Sequence, residues 1–258
     1  MLDILYRDDL LVVVHKPSGL LVHRSMLDRH ETRFALQMVR DQTGRHVYAA
    51  HRLDKGTSGA LLFAFDREVA AALAAAFERR EVGKRYLAIV RGHPAESGTI
   101  DHALVRRDEE AGAERGDGPI QDAVTHYRRL QSFELPVCVD RYPTSRYALL
   151  ELDPETGRRH QIRRHLKHIS HPIIGDTTWG KGRHNRMIAE RYGAARQLLA
   201  CTRLSFAHPD NGHQLTIECP PAADFMQVLN GLLAESPLSS VIESRHNEGP
   251  IHRRPDDS

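Results

Sequence analysis

Cysteine is scarce in this chain. The three present, Cys138, Cys201 and Cys219, stand far apart and form no CxxC pair, which argues against both a disulfide framework and a zinc ribbon. No apolar run is long enough to span a bilayer, and the opening MLDILYRDD is no signal peptide. A cytoplasmic protein is the simplest expectation. Excess charge of one sign is missing too: 36 Lys and Arg against 34 Asp and Glu leave +2, so bulk charge names no partner. The GxGxxG, GxxxxGK[ST] and HExxH patterns are absent, and with them the usual marks of dinucleotide, nucleoside triphosphate and zinc-protease chemistry. What remains is ordinary for a globular enzyme: 258 residues, 40% hydrophobic and 27% charged, enough to bury a core without cross-links.

The distribution of charge says more than its sum. Between residues 157 and 168 lie Arg158, Arg159, Arg163, Arg164 and Lys167 with His160, His165 and His168, and no acid among them. A solvated helix face is the usual meaning of such a run. Five fixed cations without compensating carboxylates repel one another unless an anion lies against them, which favours contact with phosphate.

Patterning predicts many strands and few helices. Strands are expected at residues 4–6, 10–15, 47–50, 60–65, 84–91, 123–130, 146–152, 198–206 and 214–218, with a further extended run at 20–23. Helices are expected at 32–41, from the Asp66 cap through Val69, Leu73 and Phe77, over 159–168, and over 222–233. The polar stretch 106–121 reads as a long exposed or partly disordered loop. This order predicts an α+β fold: one catalytic domain over residues 1–234, with a mixed, largely antiparallel sheet flanked by helices and loops. Residues 235–258 read as a disordered tail.

One loop carries candidate chemistry: His51-Arg52-Leu53-Asp54-Lys55-Gly56-Thr57-Ser58-Gly59. Flanking cations favour ionised Asp54, which suits a nucleophile or base better than a general acid. A lone aspartate more often caps a turn or pairs with a neighbour. The glycines, which permit close approach of a ligand, and the hydroxyls of Thr57 and Ser58, which suit an RNA backbone, tilt the reading towards function. His160, His165, His168 and His171 form the rival constellation. Lacking an acid among them, they make an incomplete ligand set, so no metal is expected.

The same loop, His51-Arg52-Leu53-Asp54 followed by Thr57-Ser58-Gly59, resembles the signature of the RluA-type pseudouridine synthases. Three more motifs of that family follow in order: the opening strand with Lys16-Pro17-Ser18-Gly19, then Lys84-Arg85-Tyr86-Leu87-Ala88, then Thr156-Gly157-Arg158-Arg159-His160-Gln161-Ile162-Arg163 with His171-Pro172-Ile173-Ile174-Gly175-Asp176. The similarity extends from residue 1 to about 233. Within the family, the segments Val22-His23-Arg24-Ser25, Arg141 to Tyr147, Leu166 to Pro172 and Gly182 to Arg186 are most similar to members that modify uridine 65 of tRNA. Lys55-Gly56 departs from the family pattern, which usually has Arg there; Lys keeps the charge and loses the planar fork.

The resemblance implies the pseudouridine synthase fold and an isomerase that needs no cofactor. Its RNA partner would be tRNA, with uridine 65 in the acceptor/T-stem region as the target and no membrane or protein partner implied. Asp54 would be the catalytic carboxylate, Arg163 its ion-pair partner, and Tyr86 the ring beneath the uracil, with a phenol that helps remove the proton from C5. Arg52 would fill the gap left by a flipped nucleotide, and Lys55, Arg158, Arg159, Arg164 and Lys167 would bind RNA. No separate RNA-binding domain precedes the catalytic region, so recognition is expected from this region itself. The alternatives are ribosomal RNA or another tRNA position as substrate, a catalytically silent RNA-binding relative, and a metal-dependent hydrolase built on the histidines.

Overall fold

The computed structural model describes residues 1–24, 30–106 and 118–236. Strand β1 (Asp3–Arg7) turns into β2 (Leu11–Lys16) where the Asp8 carboxylate accepts from the amides of Leu10 and Leu11 at 2.8 and 2.7 Å. Helix α1 (Ala35–Thr43) ends on Gly44 in the left-handed conformation. Next come β3 (Tyr48–Ala49), β4 (Ser58–Ala64) and α2 (Arg67–Glu78), whose cap is Asp66 as expected. The middle of the chain is strands: β5 (Gly83–Arg91), β6 (Ser97–Asp101), β7 (Leu104–Val105), β8 (Ile120–Gln121), β9 (Val124–Leu135) and β10 (Ser145–Pro154). Helices α3 (Gln161–His168) and α4 (Gly182–Tyr192) precede β11 (Leu199–Ala207), β12 (Gln214–Glu218) and α5 (Ala223–Glu235).

Ten strands form one sheet with the order β1-β2-β4-β11-β5-β10-β9-β6, to which β3 and β12 add beside β4 and β11. It is mixed and largely antiparallel, as expected; the β4–β11 pair is parallel. Alternation along the central strands sends side chains into two cores. Tyr86, Ala88, Val90, Ala148, Leu150 and Leu152 face the side where Ile162 and Leu166 of α3 and Leu73 of α2 pack. Ile89, Tyr147 and Leu149 face Ile188 and Tyr192 of α4 and Phe225, Val228 and Leu232 of α5.

The site is positioned where the sheet forks. Strands β4 and β11 pair only at Ser58–Ala200 and Gly59–Cys201, after which β4 pairs with β3 and β11 with β12. At this fork Gly59 has φ +115°, and a Cβ there would lie 2.1 Å from the Cys201 carbonyl oxygen. Gly59→Ala is therefore expected to lower stability by about 2 kcal/mol or more, from backbone strain plus the clash. Urea unfolding measures this; an unchanged midpoint would show that the fork can give way.

Several sequence expectations are corrected here. Residues 20–23 form no strand; Leu21 makes a single bridge to Phe34. Strand β6 and helix α4 were not anticipated. The 106–121 stretch is not wholly loop, because its last two residues form β8, which pairs with β7 just before it. Residues 107–117 lie outside the described residues, as does the expected tail from 237 onward.

Candidate active site

Asp54 sits in the connection from β3 to β4, and the residues after it are fixed from several sides. The Asp54 carbonyl accepts from Thr57 N at 3.0 Å, closing a turn over Lys55-Gly56. The Lys55 carbonyl accepts from Gly19 N at 2.8 Å and from Lys16 Nζ at 3.2 Å, and the Gly56 carbonyl from Ser18 Oγ at 2.7 Å. Lys16 is fully buried and also donates to the carbonyls of Leu20 and Pro17, so each ammonium proton has an acceptor. Burial pulls its pKa down to about 7, against the opposing pull of the Asp54 charge. Thr57 and Ser58 are buried rather than offered to RNA. Thr57 Oγ1 accepts from Gln197 Nε2 at 3.0 Å, and Ser58 Oγ accepts from Arg196 Nη2 at 2.9 Å. Their hydroxyls hold the loop to the start of β11.

The carboxylate of Asp54, 21% exposed, accepts from Arg163 Nη1 at 2.9 Å. Arg163 projects from the first turn of α3, whose start is set by Gln161: its Oε1 accepts from Thr156 Oγ1 and Arg158 N, and its Nε2 donates to the Val124 carbonyl and Thr125 Oγ1. The other face of the Arg163 guanidinium meets Asp176, Nε to Oδ2 at 2.7 Å and Nη2 to Oδ1 at 2.9 Å. Asp176 is wholly buried. Burial alone would raise its pKa, but the Arg163 bonds and charge with the amides of Trp179 and Thr178 reverse that and hold it below the usual carboxylate value.

Two further side chains complete the surroundings. His160 Nε2 lies 3.9 Å from Asp54 Oδ2, while its Nδ1 accepts from the Trp179 indole N–H at 3.3 Å. Burial drops its pKa to about 4 despite the attraction of Asp54, so the ring is neutral at pH 7 and its one proton, on Nε2, faces the carboxylate. Tyr86, on β5, is buried, and that burial, with Cys201 and Asp54 nearby, pushes its phenol well above 10. It holds its proton in the resting enzyme, so it offers a ligand its ring and a phenol O–H.

Asp54 is common to two cavities. One, of about 350 Å³, is the narrower and is lined by Leu53, Tyr86, Ile162 and Leu199 together with the cations Arg52, Lys84, Arg158 and Arg163. The other, of about 770 Å³, is wider and rimmed by Arg52, Lys55, Arg159, His160 and Arg163. The three residues expected to act together, Asp54, Tyr86 and Arg163, are thus brought to one place. The expected RNA-binding set does not form a single face. Arg52, Lys55 and Arg159 rim the wide cavity, with Lys55 also 2.9 Å from Glu31. Arg158 borders the narrow one and donates to the Asp122 carbonyl. Arg164 donates to the Val105 carbonyl beside the Trp179 ring, and Lys167 is exposed away from both cavities. The basic run therefore has several destinations: Arg163 meets two carboxylates, whereas Arg158 and Arg164 meet backbone carbonyls.

The histidines serve the fold. His165 bonds Thr125 Oγ1 and the His102 carbonyl, His168 stacks on His102 with centroids 3.7 Å apart, and His171 bonds the Arg91 carbonyl. Among the described residues no three His, Cys, Asp or Glu converge as a metal site would require. Sequence reading missed His160, Asp176, Lys16 and Gln161 as site residues, although each stood inside a quoted motif.

Residues 10–168 match the RNA pseudouridylate synthase family. The chain belongs to that family. Relatives named tRNA pseudouridine synthase C include those of Pectobacterium carotovorum subsp. carotovorum (50% identical, covering 95% of this chain and 69% of that one) and Pasteurella multocida strain Pm70 (49%, covering 89% and 95%). The relative from Vibrio cholerae is 45% identical, covering 91% and 96%. Among solved structures, human RNA pseudouridylate synthase domain containing 4 superposes with a TM-score of 0.66 at 26% identity, covering 90% of this chain and 93% of that one. This synthase is an isomerase of the RluA type. Among its described residues, no helix is long and apolar enough to cross a membrane.

Proposed function

We propose that this enzyme converts a uridine of cytoplasmic tRNA to pseudouridine, at position 65 in the acceptor/T-stem region, with Asp54 as the carboxylate that starts the reaction. The catalytic unit would be residues 1–234, carried on through the end of α5 at Glu235. The reaction breaks the N1–C1′ bond, turns the uracil, forms a C5–C1′ bond, and moves the C5 hydrogen off as a proton while N1 gains one. Atoms and electrons balance without a redox group, phosphate donor or cofactor. One carboxylate can begin it, by attack at C1′ or on the ring, or by removing a ribose proton.

The observation that carries this reading is the placement of Asp54 in the wall shared by the two cavities, with Arg163 on one oxygen. The narrow cavity suits an extruded uracil lying against Tyr86, and the wider one suits the ribose and phosphates on either side. Arg163 donates to the carboxylate and so aims it. Arg52, exposed at the mouth of both cavities, is placed to fill the space the flipped nucleotide leaves. The tRNA substrate is supported by relatives at 45% to 50% identity that bear that name; position 65 is carried over from the resemblance of the segments at 141–147, 166–172 and 182–186.

Unmodified tRNA and ribosomal RNA transcripts, each carrying tritium at uridine C5, test it. Release from tRNA and none from ribosomal RNA is expected. The reverse would keep the chemistry and overturn the substrate, and release from neither would return the chain to the silent RNA-binding class. Arg159→Gln should flatten the salt dependence of tRNA binding by about 0.7–0.9 in slope, one phosphate contact's worth of released counterions. An unchanged slope would remove Arg159 from the RNA path. Lys167→Gln should do the same if the RNA reaches the far end of α3.

A further inference from the structure

One short turn grips both neighbours of Asp54. Its first residue, Asp176, holds Arg163 through two nitrogens, and its last, Trp179, donates its indole N–H to His160. The guanidinium is a rigid plane, so fixing Nε and Nη2 fixes the direction of Nη1, the atom that bonds Asp54. His160 sits at φ +53°, a conformation rare for a side chain of its kind, immediately before α3, and the indole bond keeps its Nε2–H facing Asp54.

The turn itself is fixed. Asp176 Oδ1 accepts from the amides of Thr178 and Trp179, both at 2.9 Å. Asn185 of α4 accepts from Gly175 N and donates to the Asp176 carbonyl. Gly175 packs so closely that a Cβ would come within 1.7 Å of the Arg196 carbonyl oxygen. Arg163 also divides its single charge between two carboxylates, so the three groups together keep one net negative charge beside the cavities. A lone Arg163–Asp54 pair would be neutral.

We infer that the 176–179 turn is the positioning element of the active site: Asp176 acts through Arg163, and Trp179 through His160, to aim the Asp54 carboxylate. This rests on the reading of Asp54 as the reacting group. Neither Asp176, which is fully buried, nor the Trp179 indole nitrogen bonded to His160 needs to touch RNA for this.

Single-turnover rates and tRNA affinity of Asp176→Asn and Trp179→Phe, measured beside Asp54→Asn, test it. Asp176→Asn should slow turnover roughly 100-fold and Trp179→Phe roughly ten-fold, with tRNA Kd within about two-fold in both. In an Arg163→Gln background, Asp176→Asn should cost less than about two-fold further, because its effect passes through the missing guanidinium. The Arg163→Gln reference leaves Asp176 without its cation, so Trp179→Phe, which disturbs no buried charge, decides the matter should that reference or Asp176→Asn fail to fold. Wild-type rates in both single variants, or full additivity in the Arg163→Gln background, would overturn the inference. An active Asp54→Asn would overturn the underlying reading instead.

Discussion

Asp54→Asn is expected to slow turnover by roughly 10⁴-fold or more while tRNA affinity stays within about three-fold. The amide has nearly the shape of the carboxylate and can still accept from Arg163 Nη1 through its oxygen, so the cavity walls are preserved. What disappears is the negative charge that attacks or takes a proton. Folding should survive the change, because Arg163 keeps its bidentate partner Asp176 and Asp54 is partly exposed. Tritium release in single turnover and filter binding separate the two quantities. Affinity lost together with rate would make Asp54 a binding residue; rate retained would remove it from the chemistry.

Arg163→Met should be the most damaging change to both stability and activity. It deletes the one cation between two carboxylates and leaves Asp176 buried with no opposite charge, which costs about 3–5 kcal/mol. The loss has a definite pH dependence. In the native enzyme the lowered pKa of Asp176 contributes stability above its ordinary value of 3.8, lost as pH falls through the folded value. In the variant, burial is no longer opposed by Arg163, so the folded pKa rises above the unfolded one. The protonated form is then the stable one, and the deficit against wild type should be largest near pH 7–8 and shrink in mild acid. Trp179, the single tryptophan, bonds Asp176 through its backbone amide and so reports the change by fluorescence during urea unfolding. A deficit independent of pH would mean that Asp176 stays paired by some other group.

Much of this architecture was legible because it follows local rules. The Asp66 cap, Gly44 at the end of α1 and the long apolar strands β4, β5, β10 and β11 obey periodicity and end signals that a sequence displays directly. Helix α4 escaped because its inward stripe is His184, Ile188 and Tyr192, and its cap residue, Lys181, makes no side-chain bond. A histidine in an apolar position hides the pattern; here it is satisfied by the Tyr147 hydroxyl at 2.8 Å.

The site was legible where a residue acts in its own motif and obscure where it acts across the fold. Asp54, Tyr86 and Arg163 were reachable from their motifs. Asp176 also stood in a motif, but nothing local announces that it will meet an arginine thirteen positions earlier on another element. The same gap misled the reading of Thr57 and Ser58. Hydroxyls beside glycines look ligand-facing until Arg196 and Gln197, some 140 residues away, are seen to claim them. The basic run at 157–168 looked like one phosphate-binding face for a similar reason: the groups that engage Arg158, Arg163 and Arg164 lie on other strands and loops.

The most direct measurement is pseudouridine mapping, by carbodiimide labelling and primer extension, on unmodified tRNA incubated with the purified protein in the presence of EDTA. A new stop reporting position 65 with wild-type protein, and none with Asp54→Asn, is the expected result. The same stop with Asp54→Asn, or one that EDTA abolishes, would contradict a metal-free isomerisation begun by that carboxylate.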